Sequence, residues 1–162
     1  MMEKLRKWYD AVMRGFDLLR SPLLLVLRVM FGYQLYLTGK GKLENIDRFV
    51  GFLQHLNIPM PEVNARFVAG LECVGGLLLI AGLAARLISI PLTINFIVAY
   101  VTADHETWVN FFKDQEAFTQ AAPFLYLLVS LIILAFGPGM LSLDALIRKI
   151  MTRKKTPELA PA

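Results

Sequence analysis

The chain has 162 residues, of which 56% are hydrophobic and only 19% charged, with a formal net charge of +4. A water-soluble domain of this size carries roughly a quarter charged residues, so composition excludes an ordinary soluble globule. The single cysteine, Cys73, excludes an intramolecular disulfide and a CxxC redox pair.

The apolar residues gather into four runs: Pro22–Leu37, Phe67–Ala85, Leu87–Ala103 and Ala121–Pro138. A bilayer core about 30 Å thick takes a helix of roughly 17–25 residues. The first run reaches that length through Thr38, Gly39 and the snorkelling side chains of Lys40 and Lys42. The expected fold is therefore all-α: a four-transmembrane-helix bundle over residues 22–141, with an amphipathic interfacial helix at each end. No cleavable signal peptide is expected, because the first run starts only near residue 22 and contains Arg28.

In chain order, residues 1–21 place Leu5, Trp8, Tyr9, Val12, Phe16 and Leu19 at helical spacing between basic residues. That pattern predicts an amphipathic helix on the inner leaflet. The first span follows. The loop 43–64 repeats the helical spacing at Ile46, Phe49, Val50, Phe52, Leu53 and Leu56, then stops at Asn57-Ile58-Pro59-Met60-Pro61. A short helix over the outer mouth of the bundle is the expectation. Spans two and three form a tight hairpin through Gly82-Leu83-Ala84-Ala85-Arg86, and the loop 104–120 is acidic and aromatic. Span four ends at Gly137-Pro138-Gly139. Ser142 is placed as the N-cap, and Asp144 in the first turn, of a second interfacial helix over 142–151. The basic tail 152–162 is expected to be disordered.

Orientation follows the lysines and arginines. Lys4, Arg6, Lys7, Arg14, Arg20, Arg86, Arg148, Lys149, Arg153, Lys154 and Lys155 flank one side, eleven in all. Lys40, Lys42, Arg48, Arg66 and Lys113 flank the other, five against seven acids there (Glu44, Asp47, Glu62, Asp104, Glu106, Asp114 and Glu116). Both termini are thus expected in the cytoplasm. The net charge reads as membrane topology and contact with anionic lipid, not as a nucleic-acid surface.

A charge near the bilayer centre costs at least about 2.5–3.5 kcal/mol and normally faces the bundle interior. Arg28 and Glu72 are the two such charges. Arg28, Gly32, Leu35, Gly39 and Lys42 share one stripe of span one. Pro91, Asn95, Val98, Thr102 and His105 share one of span three, and Gly75 and Gly76 follow Glu72 on its own face, leaving space beside the carboxylate. The depths allow an Arg28–Glu72 ion pair that fixes register. They equally allow a polar path from Lys42 and His105 at the outer rim through Glu72 towards Arg28. Ala65, Ala69 and Cys73 offer a small-residue seam within the bundle or between protomers. His55 reads as a surface residue. Asp104-His105-Glu106 is not expected to bind a metal, since adjacent side chains on a helix point apart.

These residues resemble the DoxX family of small bacterial and archaeal membrane proteins over roughly residues 20–147. The shared features are an arginine inside span one (Arg28), Gly-x-x-Lys-Leu at its outer end (Gly39, Lys42, Leu43) and Pro-x-Pro (Pro59, Pro61). Glu-x-x-Gly-Gly (Glu72, Gly75, Gly76), Gly-Leu-x-x-Arg (Gly82, Leu83, Arg86), His105, Gly-Pro-Gly and Ser-x-Asp (Ser142, Asp144) follow in order. The resemblance implies a prokaryotic inner-membrane protein, and its family name derives from a subunit of a thiosulfate:quinone oxidoreductase. The function it favours is a small subunit of a quinone-linked redox complex. The expected quinone site comprises Lys42, Glu72, Gly76, His105 and Arg28, with Glu72 and His105 as candidate proton exchangers. The chain encodes no electron donor, so a redox or assembly partner is implied. The alternatives are a non-catalytic membrane anchor or assembly subunit, and a small transporter or lipid-handling protein.

Overall fold

The computed structural model describes residues 2–153, and every regular element among them is helical. Eight helices follow in order: α1 Met2–Glu44, α2 Ile46–His55, α3 Pro61–Ala81, α4 Ala85–Thr102, α5 His105–Val109, α6 Gln115–Gln120, α7 Pro123–Phe136 and α8 Leu143–Arg153.

Helix α1 is continuous over 43 residues, so the boundary expected near residue 21 does not appear. Pro22 lies inside it. A proline within a helix removes one hydrogen bond, and here neighbouring contacts hold the chain on course. The Arg20 guanidinium donates to the Phe136 carbonyl at 2.9 Å, and the Met140 N–H donates to Ser21 Oγ at 3.3 Å. The first half of α1 presents Leu5, Trp8, Phe16 and Leu19 exposed.

Three stretches are long and apolar enough to cross a membrane: Leu18–Glu44 of α1, α3 and α4. Helix α7 is apolar but has only 14 residues, about 21 Å of helix, because Pro123 opens it and Gly137 (φ 78°) closes it. The apolar run 121–138 is thus longer than the helix it contains. At the C-terminal end α8 extends to Arg153 rather than stopping at 151, so Thr152 and Arg153, expected in the disordered tail, are helical, and the rest of that tail, 154–162, lies outside the described residues.

α3 and α4 form the expected hairpin, α1 packs along α3, and α7 packs along α4. Glycines set the α1–α3 distance. A Cβ on Gly32 would stand 2.8 Å from the Gly76 carbonyl oxygen, and one on Gly39 would overlap the Cys73 backbone. Backbones approach this closely only where side chains are missing. The core between the helices holds Phe31, Leu35, Leu79, Leu92, Phe96, Val129 and Ile133. Helix α2 turns back over one end with Leu53 buried against α3. Beyond α4, the Tyr100 hydroxyl donates to the Phe118 carbonyl at 2.8 Å and the two rings stack with centroids 4.6 Å apart, tying α6 to α4.

Candidate functional site

The α1–α3 register decides where the two intramembrane charges go. Gly32 faces Gly76 and Ile80, while Gly39 faces Ala69 and Cys73, so Glu72 lies opposite residue 38 or so of the antiparallel α1. Along the axis that is about 6 Å from Lys42 and about 15 Å from Arg28. The Arg28–Glu72 pair that the depths allow accordingly does not form; Arg28 bonds to the Leu141 carbonyl instead. Glu72, 3% exposed, takes Lys42 instead, whose Nζ donates to Oε1 at 2.6 Å and Oε2 at 2.7 Å. Asn95 on α4 adds a longer contact from Nδ2 to Oε1 at 3.4 Å. The Lys42 ammonium also sits 4.9 Å from the centroid of the Phe49 ring, a cation–π arrangement.

This cluster opens on a cavity of about 190 Å³ between α1, α2, α3, α4 and α7. Its wall is apolar and aromatic: Leu35, Phe49, Phe52, Leu53, Leu56, Val68, Phe96, Val98, Ala99 and Tyr126 all contribute. Tyr126 is fixed by stacking on Phe96 (5.3 Å) and meeting Phe31 edge-on (5.9 Å). The only charged side chains among the cavity's described lining residues are Lys42 and Glu72. A flat, mostly apolar molecule with one polar acceptor fits such a wall, since ligand cavities combine apolar lining with a few placed polar groups.

Of the five residues expected to form a site, Lys42 and Glu72 come together here and three do not. Gly76 packs against Gly32 and Tyr36 of α1, so the space expected beside the carboxylate is filled by a helix. Gly75 likewise meets Leu92. His105 is exposed at the start of α5, its Nδ1 3.0 Å from the Val101 carbonyl oxygen, and it does not line the cavity. Arg28 is fully buried at the opposite end of the bundle. Phe49 and Phe52 of α2 and Leu56 just after it were legible only as a lid over the mouth; their helical spacing was the signal that they line the cavity.

Arg28 belongs to a structural latch. Its Nη2 donates to the Leu141 carbonyl at 2.6 Å, its Nε and Nη1 have no partner among the described residues, and it lies under Gly82. A side chain at Gly82 would overlap the guanidinium, and its φ of 66° also favours glycine. Asp144 reaches across the same turn. Its carboxylate accepts from Ala84 N–H (2.8 Å) and Ala85 N–H (3.1 Å), while its own N–H donates to the Gly82 carbonyl at 3.0 Å. Asp144 therefore caps α4 as well as standing in the first turn of α8. Ser142 is the N-cap of α8, its Oγ accepting from Ala145 N–H at 3.2 Å.

The DoxX family model matches residues 23–105, which carry the Lys42–Glu72 cluster, Arg28 and the α3–α4 hairpin. An uncharacterized protein of Haemophilus influenzae is 27% identical over 149 residues, covering 90% of this chain and 95% of the relative. A Bacillus subtilis protein named "Putative oxidoreductase CatD" is 28% identical over 127 residues, covering 77% of this chain and 87% of the relative. No solved structure matches the chain. With a family match over half its length and helices apolar enough to cross a bilayer, the chain belongs to the DoxX family and is a membrane protein.

Proposed function

We propose that this protein is a small inner-membrane subunit of a quinone-linked redox complex, and that the cavity beside Lys42 and Glu72 receives the quinone ring. The observation that carries this reading is a lysine–carboxylate–asparagine cluster set into an otherwise apolar, aromatic-walled cavity. A quinone is a flat apolar ring with two carbonyl acceptors. Lys42 reaches both Glu72 oxygens and, with three N–H donors in all, keeps one for a carbonyl. Phe49, Phe96 and Tyr126 supply ring faces. Reduction to the quinol takes two electrons and two protons. The electrons come from a partner protein; Glu72, taking a proton from water at the cavity mouth, passes it to the carbonyl oxygen beside Lys42, and the other carbonyl oxygen takes the second proton from that water. The oxidoreductase wording in the name of the Bacillus subtilis relative supports the same direction.

In this reading α7 is the fourth span, with the Ala121–Ala122 and Gly137–Ser142 segments and local thinning of the bilayer making up its length. Both termini are cytoplasmic, and the cavity opens towards the outer side. His105, Gly76 and Arg28 take no part in binding.

A non-catalytic anchoring role is the second reading, favoured by the apolar side chains of Leu5, Trp8, Phe16 and Leu19 left exposed along α1. The two separate on one measurement: quinone-reduction turnover per assembled complex in host membranes carrying Glu72→Gln. The quinone reading expects turnover to fall about a hundredfold with the amount of complex unchanged. Unchanged turnover per complex with less complex assembled would support the anchor instead.

A further inference from the structure

A second cavity, of about 480 Å³, lies at the opposite end of the bundle from Glu72, where α1, α4, α7 and α8 converge. Arg20, Arg86 and Arg148 all line it, together with Ser142 and the Phe136–Met140 segment. Arg20 and Arg86 each spend one donor on the end of α7, to the Phe136 carbonyl (2.9 Å) and the Ala135 carbonyl (3.2 Å). Among the described residues none of the three arginines forms an ion pair. Three guanidinium groups thus line one hollow, with no carboxylate among its described lining residues.

The segment that shapes the hollow is held by backbone conformation. Gly137 and Gly139 have φ of 78° and 81°, and the Arg86 guanidinium lies over Gly137 where a side chain would crowd it, 3.0 Å from the nearest atom. Arginine presents a planar fork that matches phosphate oxygens two at a time. The cavity also sits where the apolar stretches of α1 and α4 begin and α7 ends, which is headgroup depth in a bilayer. Met140 and Leu141 beside it are exposed and apolar, a surface suited to an acyl chain.

From this arrangement we infer that the cavity binds a phosphate group, and that the phosphate is the headgroup of an anionic phospholipid. Basic pockets between membrane helices on the cytoplasmic side recognise such headgroups. The site is separate from the quinone cavity and does not depend on it.

The test is binding of phosphatidylglycerol to the full chain in detergent by native mass spectrometry, with phosphatidylcholine as the neutral comparison. Arg148→Gln removes a lining charge whose side chain caps no helix; Lys149→Gln removes the same net charge one position away and outside the cavity. Arg86→Lys keeps the charge at the α7 terminus but loses the fork. Phosphatidylglycerol affinity falling about fivefold in Arg148→Gln, falling in Arg86→Lys and holding in Lys149→Gln is the expected result. If inorganic phosphate leaves the lipid bound, the lipid is the ligand; if it displaces the lipid at millimolar levels, the phosphate site stands and the lipid assignment is overturned. Equal weakening by Arg148→Gln and Lys149→Gln, or equal retention of phosphatidylcholine, overturns the site itself.

Discussion

Lys42 and Glu72 differ in their access to water, and that difference sets what each contributes. Glu72's side chain is 4% exposed and Lys42's 26%. Removing Lys42 strands a carboxylate in a low-dielectric interior, whereas removing the Glu72 charge leaves an ammonium on a long stem that can swing towards water. Lys42→Met is therefore expected to destabilise the protein by about 3 kcal/mol and Glu72→Gln by only about 1 kcal/mol. The double variant should recover much of the loss, because no charge is then left buried. Thermal unfolding in detergent measures all three; equal costs for the two single variants would mean that the pair is solvated and its burial unimportant. Arg28, the other buried charge, is held by the Leu141 carbonyl beneath the hairpin turn. Its position explains why an arginine is tolerated inside α1: it lies at the latch that joins α1, the α3–α4 turn and the start of α8.

At the scale of elements, the α1–α3 contact governs the site. Gly32, Gly39 and Gly76 allow two backbones to touch, and the register they impose delivers Glu72 to Lys42. Gly41 lies two residues from Gly39 with nothing near the place of its Cβ. Gly39→Ala is expected to cost about 1–3 kcal/mol by overpacking and to pull Lys42 away from Glu72. Gly41→Ala should leave stability level or raise it by up to about 1 kcal/mol through helix propensity. Similar effects of both substitutions, read by thermal unfolding, would remove close packing as the cause of the register. Much of the helix arrangement was legible in the sequence. The apolar runs locate α3 and α4, the spacing of Ile46 to Leu56 locates α2, and Ser142 marks the start of α8. The charge pairing was not legible. Depth alone places Glu72 about midway between Arg28 and Lys42 on a 1.5 Å rise, and only the glycine-set register breaks that tie. The continuity of α1 through Pro22 was hidden for a related reason, since the contacts that hold it come from Phe136 and Met140, more than a hundred residues away.

The whole molecule has two unlike ends. At one, Arg28, Gly82, Asp144 and Ser142 fasten the turn between α3 and α4 to the start of α8 through charge-assisted and backbone hydrogen bonds. At the other, a cavity is roofed by α2 and walled by aromatic rings, with a single buried charge cluster inside it. The motifs by which the sequence resembles the family divide between them. Gly-Leu-x-x-Arg and Ser-x-Asp meet at the latch, while the lysine of Gly-x-x-Lys-Leu and the glutamate of Glu-x-x-Gly-Gly meet in the cavity. A fastened base beneath a lined cavity is the arrangement the proposed quinone-binding role needs.

Quinone binding in this cavity, as proposed, runs through Lys42. The most direct measurement places a reporter in its wall: Phe52→Trp in a background with Trp8→Phe and Trp108→Phe, reconstituted into nanodiscs and titrated with a quinone analogue. Quenching of the introduced indole's fluorescence should saturate, and Lys42→Met should weaken the apparent affinity by about tenfold or more, the loss of one charged hydrogen bond. Linear quenching that is the same with and without Lys42 would show that the analogue only partitions into lipid and that the cavity is not a quinone site.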